Sequence, residues 1–264
     1  MKPRRRRFFR RRSLRPKEIY LLPTTFTLLN MLFGFSAIVA ATHGRYFQAA
    51  GYLSLAIVAD GLDGRFARMM GAASPMGREL DSLADMVSFG VAPVILVWRW
   101  AFAAEPHTLG RLGWLVGFIF MAAAAIRLAR FNVDTVARNY FVGMPAPAAA
   151  AVIASTIYYY PNPLGRSLVQ VAVLIALLGL AALMVSQIRF ASLKALDLRS
   201  PRSHAYIFPI TLFLVFIFYK PPLALVFCAY AYFAGNLFAH VRRMLGAKRK
   251  AAPEEHPAAS GATP

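Results

Sequence analysis

Four aspartates, Asp60, Asp63, Asp81 and Asp85, stand close together in a chain whose surroundings are apolar. In the run Ala59–Pro93, ADGLDGRFARMMGAASPMGRELDSLADMVSFGVAP, they are joined by five glycines and by Arg65, Arg68 and Arg78. A charge at the centre of a membrane helix costs roughly 2.5 to 3.5 kcal/mol on insertion scales, so such a row demands a functional reason. On a helix, Asp60, Asp63, Gly64, Ala67 and Arg68 stand at offsets 0, 3, 4, 7 and 8 and share one face. Ser74 and Pro75 mark a turn. Beyond it Gly77, Asp81, Asp85 and Ser88 recur at i, i+4, i+8 and i+11, again on one face.

If the two faces oppose each other, the carboxylates converge, and like charges in a low dielectric need something positive between them. An all-oxygen donor set selects hard divalent cations, Mg²⁺, Mn²⁺ or Ca²⁺; zinc would want His or Cys nearby. A pair of such ions beside Arg68 suits a diphosphate and the stabilisation of charge during displacement at phosphorus. Two other readings of the spacing stay open. One is a proton or ion pathway, as in a cation transporter using intramembrane aspartates; the other is structural pairing with Arg65, Arg68 and Arg78.

The elements that must position these groups follow from composition. The 264 residues are 58% hydrophobic and 16% charged, which excludes an ordinary soluble domain and indicates an all-α, polytopic membrane helix bundle. Apolar segments fall at 23–42, 47–68, 83–102, 112–128, 144–160, 168–188, 206–219 and 223–239, giving about eight transmembrane helices. Gly143, Pro145 and Pro147 break the entry to the fifth. The formal charge of +19 is concentrated in the tails and short loops, a pattern of topology and anionic membrane lipid rather than nucleic acid. An even number of spans with the arm inside leaves Arg45, Arg99, Arg111, Arg166 and Lys220 outside, and puts both termini and the aspartate run on the cytoplasmic side of the cell (inner) membrane.

Three regions are therefore expected: a basic cytoplasmic arm at 1–20, a transmembrane domain at 21–240, and a basic then disordered tail at 241–264. The first apolar segment is longer than a signal-peptide core and is expected to be retained. Cys228 is the single cysteine, so no disulfide framework or thiolate metal site arises. Tyr158, Tyr159, Tyr160, Trp98 and Trp100 fit the outer interfacial belt. Ser88 suits a helix-to-helix hydrogen bond as well as a ligand contact, and Thr27 and Asn30 share a face of the first span, suited to nucleotide contact or to packing.

The aspartate run matches D-x-x-D-G-x-x-A-R-x8-G-x-x-x-D-x-x-x-D at all eight fixed positions, Asp60, Asp63, Gly64, Ala67, Arg68, Gly77, Asp81 and Asp85. By that motif the chain resembles the CDP-alcohol phosphotransferase family. The segments LDSLADMVSFGVAP, AIRLARFNV, YFVGMPAPAAA and LMVSQIRFASLK, with the entry stretch LPTTFTLLNMLFGF, are similar to its phosphatidylserine synthase branch (CDP-diacylglycerol–serine O-phosphatidyltransferase), over roughly residues 20–240. Thr24 departs from the Asn that many relatives carry there.

The resemblance implies Asp60, Asp63, Asp81 and Asp85 as ligands of two Mg²⁺ or Mn²⁺ ions, with Ca²⁺ an alternative, and Asp85 as general base. Gly64, Ala67, Arg68 and Gly77, with Thr27 and Asn30, would line the nucleotide and diphosphate. Ser88, Arg127, Arg130 and Asn132 would serve the acceptor or lipid phosphate, against the plainer reading of Arg127 and Arg130 as cations at a helix end. The implied reaction is CDP-diacylglycerol plus L-serine giving phosphatidylserine and CMP. Glycerol 3-phosphate, inositol phosphate or choline are the alternative acceptors, and a homodimer is the family expectation.

Overall fold

The computed structural model describes residues 16–70, 75–104, 108–133, 140–186 and 189–191, with 230, 231, 234 and 235. Their helices are α1 (Pro16–Thr42), α2 (Tyr46–Met70), α3 (Pro75–Phe102), α4 (Thr108–Val133), α5 (Ala146–Tyr159) and α6 (Ser167–Val185). Each overlaps one of the first six apolar segments expected from sequence. The remaining two, at 206–219 and 223–239, lie outside the described residues apart from the four isolated positions, as do positions 1–15 of the arm and the C-terminal tail.

Among the described residues four stretches are long and apolar enough to cross a membrane: Thr24–Thr42 of α1, α3, α4 and α6, with mean hydropathies of 1.6, 1.7, 1.9 and 2.7. The chain is a helical membrane protein. α2 is 25 residues long, but Asp60, Asp63, Arg65 and Arg68 keep its composition from resembling a plain span. α5, at 14 residues, extends about 21 Å, short of a ~30 Å hydrocarbon core.

α1 and α2 form an antiparallel pair on a seam of small side chains, Ala37, Ala40 and Ala41 against Ala49, Ala50 and Ala56, all buried. Small residues let helix backbones approach, which is what drives association where lipid removes the hydrophobic advantage. The turn between them is closed at Gly44, φ +73°, with Arg45 N–H donating to Ala40 O (2.9 Å) and Gly44 N–H to Ala41 O (3.1 Å). This Schellman arrangement satisfies the last carbonyls of α1.

α3 is the axis of the bundle and is not uniform. It runs as α-helix over Pro75–Asp85, widens into a π-helical stretch at Met86–Val91, returns to α over Ala92–Val97 and widens again at Trp98–Phe102. α4 is drawn against it by two glycines. A Cβ on Gly113 would stand 2.6 Å from the Phe102 ring, and one on Gly117 would stand 2.7 Å from Val94 Cγ1.

Among the described residues the expected all-α architecture holds apart from one short ribbon. Tyr140–Val142 (β1) pairs antiparallel with Arg189–Ala191 (β2), in the register Phe141 to Phe190. The cause is local. Gly143 has φ +78°, a left-handed turn that helix cannot continue through, and a Cβ there would lie 2.3 Å from the Met184 carbonyl oxygen. Pro145 then caps α5, whose face Ala146, Ala149, Ala150, Ile153 and Ile157 is buried and packs on α2.

Candidate active site

Asp60 comes from α2, and Asp81 and Asp85 from the first turns of α3. One carboxylate oxygen from each of the three lies within 4.8 Å of the others. The two helix faces read from sequence do oppose each other. Asp81 and Asp85 sit one turn apart, so both reach the same point across from Asp60.

α1 forms the back of this cluster. Asn30 Nδ2 donates to Asp85 Oδ1 at 3.0 Å, and Asn30 is itself fully buried. The Thr27 hydroxyl donates to the Asp63 carboxylate, so Asp63 stands beside the cluster with one oxygen engaged by α1. Ser88 Oγ donates to the Asn30 main-chain oxygen at 2.9 Å, which pins the π-helical stretch of α3 to α1 just behind Asp85. Gly34 makes that contact possible, because a Cβ on it would lie 2.3 Å from Ser88 Oγ and 2.7 Å from Ser88 Cα.

α4 supplies the opposite wall. Arg127 stands on this wall near Asp60 and Asp85. Arg130 is turned elsewhere, its Nη1 donating to Val185 O at 3.2 Å and tying α4 to the end of α6. Asn132 Nδ2 donates to Ser82 Oγ at 2.9 Å, tying α4 to α3. Gly64 and Gly77 are half-buried; Ala67 and Arg68 lie in the last turns of α2, and their side chains are outside the described ones.

The residues singled out by sequence thus divide by what they touch. Asp60, Asp81 and Asp85 converge on one point, with Asp63 and Arg127 beside them. Thr27, Asn30 and Ser88 are engaged with the aspartates or with one another, and Arg130 and Asn132 with neighbouring helices. The hold of α1 on the aspartates joins positions 36 and 55 residues apart, for which the only signal in the sequence was that Thr27 and Asn30 share a helix face.

The donor set fits a hard divalent cation. It is oxygen throughout, comes from two helices, and has beside it Asn30 Oδ1, a buried acceptor with no hydrogen-bond partner. Three carboxylates this close in a membrane helix bundle without a cation would repel.

A helical membrane protein with a carboxylate cluster between its second and third helices is the class that fold and site define. The family described as CDP-alcohol phosphatidyltransferase matches residues 20–186, and the chain belongs to that family. A CDP-diacylglycerol–serine O-phosphatidyltransferase of Helicobacter pylori (strain ATCC 700392 / 26695) is 35% identical over 183 residues, 67% of this chain and 74% of the relative. One of Bacillus subtilis (strain 168) is 34% identical over 173 residues, 66% of this chain and 91% of the relative. One of Mycobacterium leprae (strain TN) is 38% identical over 151 residues, 54% of this chain and 49% of the relative. The chain therefore spans about half the length of that mycobacterial relative.

Proposed function

We propose that this protein transfers a phosphatidyl group from CDP-diacylglycerol to L-serine, giving phosphatidylserine and CMP, with the site open to the cytoplasm. The observation that carries the chemistry is the convergence of Asp60, Asp81 and Asp85 from two helices onto one point. The choice of serine is supported by relatives bearing that name at 34–38% identity. The cation-transporter reading gives no role to Gly64, Ala67, Arg68 and Gly77, which the family motif fixes beside the aspartates.

In this reading Asp60, Asp63, Asp81 and Asp85 hold two Mg²⁺ or Mn²⁺ ions, which when bound neutralise the diphosphate and make CMP a better leaving group. Gly64 and Gly77 leave room for the nucleotide to approach the helix backbones, and Arg68 pairs with a phosphate oxygen. The serine hydroxyl attacks the phosphorus bearing diacylglycerol. Its proton passes to Asp85, the new P–O bond forms, and the bond from phosphorus to the CMP oxygen breaks. A neutral hydroxyl is a weak nucleophile, so a carboxylate in hydrogen-bond reach of it is the essential protein contribution. Arg127, on the helix facing Asp60 and Asp85, would pair with the carboxylate of serine.

The test is CMP release by purified protein given CDP-diacylglycerol, Mn²⁺ or Mg²⁺, and each acceptor in turn. Release with L-serine alone is expected. Release with glycerol 3-phosphate, inositol phosphate or choline in its place would reassign the acceptor, and no release with any acceptor would return the transport reading.

A further inference from the structure

Away from the aspartates, the other end of the bundle carries a groove of about 440 Å³ lined by Thr42, Val94, Ile95, Trp98, Arg99 and Trp114. Arg99 follows Asp85 on α3 by about four helical turns, and Tyr46 precedes Asp60 on α2 by about the same. At about 1.5 Å of rise for each position both separations come to roughly 21 Å, so the groove lies near the opposite membrane face from the carboxylate cluster.

Its floor is rigid. Gly117 lets α4 close onto Val94, and Gly113 lets it close onto Phe102. Arg99 is fixed at both ends, its Nη2 donating to Thr42 O at 3.0 Å and its main-chain oxygen accepting from the Tyr46 hydroxyl at 2.9 Å. Two donors of the lining residues, Trp98 Nε1 and Arg99 Nε, are buried with no hydrogen-bond partner. Buried donors are costly to leave unmade, so this wall wants an acceptor.

Among the described residues the rest of the lining is apolar apart from Thr42 and contains no carboxylate. It offers the Arg99 cation to a phosphate and a hydrocarbon surface beside it, and no carboxylate to pair with an ammonium group. Trp114 is 66% exposed on α4. We propose that this groove binds an anionic phospholipid, its phosphate at Arg99 and its acyl chains along Val94, Ile95 and Trp114. The site is separate from the one that would take CDP-diacylglycerol and does not depend on which acceptor is used.

Trp98 and Trp114 are two of the three tryptophans in the chain, so the site carries its own reporter. The full chain is placed in phosphatidylcholine vesicles containing a small mole fraction of either dibrominated phosphatidylglycerol or dibrominated phosphatidylcholine, and tryptophan quenching is followed. Several-fold stronger and saturating quenching by the anionic brominated lipid is expected. Arg99→Gln should make the two headgroups equivalent, and Arg99→Lys should keep the preference. Equal quenching of the unmodified protein by both lipids would overturn the proposal without any variant, as would a preference that survives in Arg99→Gln.

Discussion

In the proposed transfer Asp85 has two tasks, to face a bound cation and to take a proton, and Asn30 would hold it for both. The amide donates to Oδ1 at 3.0 Å, which fixes the orientation of the carboxylate. Asp85→Asn keeps the shape and this neighbour but cannot accept the hydroxyl proton. It is expected to retain CDP-diacylglycerol binding while CMP release falls about 10²- to 10⁴-fold, the range for loss of a general base. Near-normal turnover would remove Asp85 from that role. Asn30→Ala tests the positioning rather than the chemistry. Outer partners of metal-binding groups are typically worth roughly 10- to 100-fold in metal affinity or activity, and a loss of that size, partly restored by excess Mn²⁺, is expected. Asp60→Asn should raise the metal concentration needed for half-maximal release, and activity unaffected by a chelator would sink the metal-based scheme altogether.

At the scale of elements, the site depends on how closely α1 and α3 approach, and that distance is set where Gly34 meets Ser88. Gly34→Ala brings a methyl to 2.3 Å from the Ser88 hydroxyl and 2.7 Å from its Cα. Overpacking of this kind costs about 1–3 kcal/mol, so the thermal midpoint of the detergent-solubilised protein should fall and activity should fall with it. Adding Ser88→Ala should not restore either, because the clash with the backbone remains. This dependence also shows what the sequence could disclose. The helices were legible because apolar runs of span length leave few alternatives, and the two aspartate faces were legible because i, i+3 and i+4 spacing is a local property. The engagement of Thr27 with Asp63 and Asn30 with Asp85 was not, since contacts between residues 36 and 55 apart leave no periodic trace. The β1–β2 ribbon was hidden for a related reason. Such short strands carry too little pattern; the break before the fifth helix was legible in Gly143, Pro145 and Pro147, but not that the chain ahead of the left-handed Gly143 would pair as a strand.

For the whole molecule, the separation of chemistry from lipid contact depends on which way the bundle lies in the membrane. The turn holding Arg45 and the groove at Arg99 are joined by Tyr46 and Thr42, so they share one face, about 21 Å along α2 and α3 from the aspartates. Arg78, exposed near the start of α3, marks the other. In the orientation proposed from the distribution of basic residues, the Arg78 face lies in the cytoplasm, where the CDP-linked substrate and serine of the proposed transfer would be supplied. With Cys228, the only natural cysteine, replaced by Ser, single cysteines at Arg45 and at Arg78 can report on this directly. A membrane-impermeant maleimide added to intact cells or spheroplasts should label Arg45→Cys and leave Arg78→Cys unlabelled until the membrane is opened. The reverse pattern would place the carboxylate cluster on the outer face, away from its nucleotide substrate, and would overturn the proposed transfer in cells even if the purified protein released CMP.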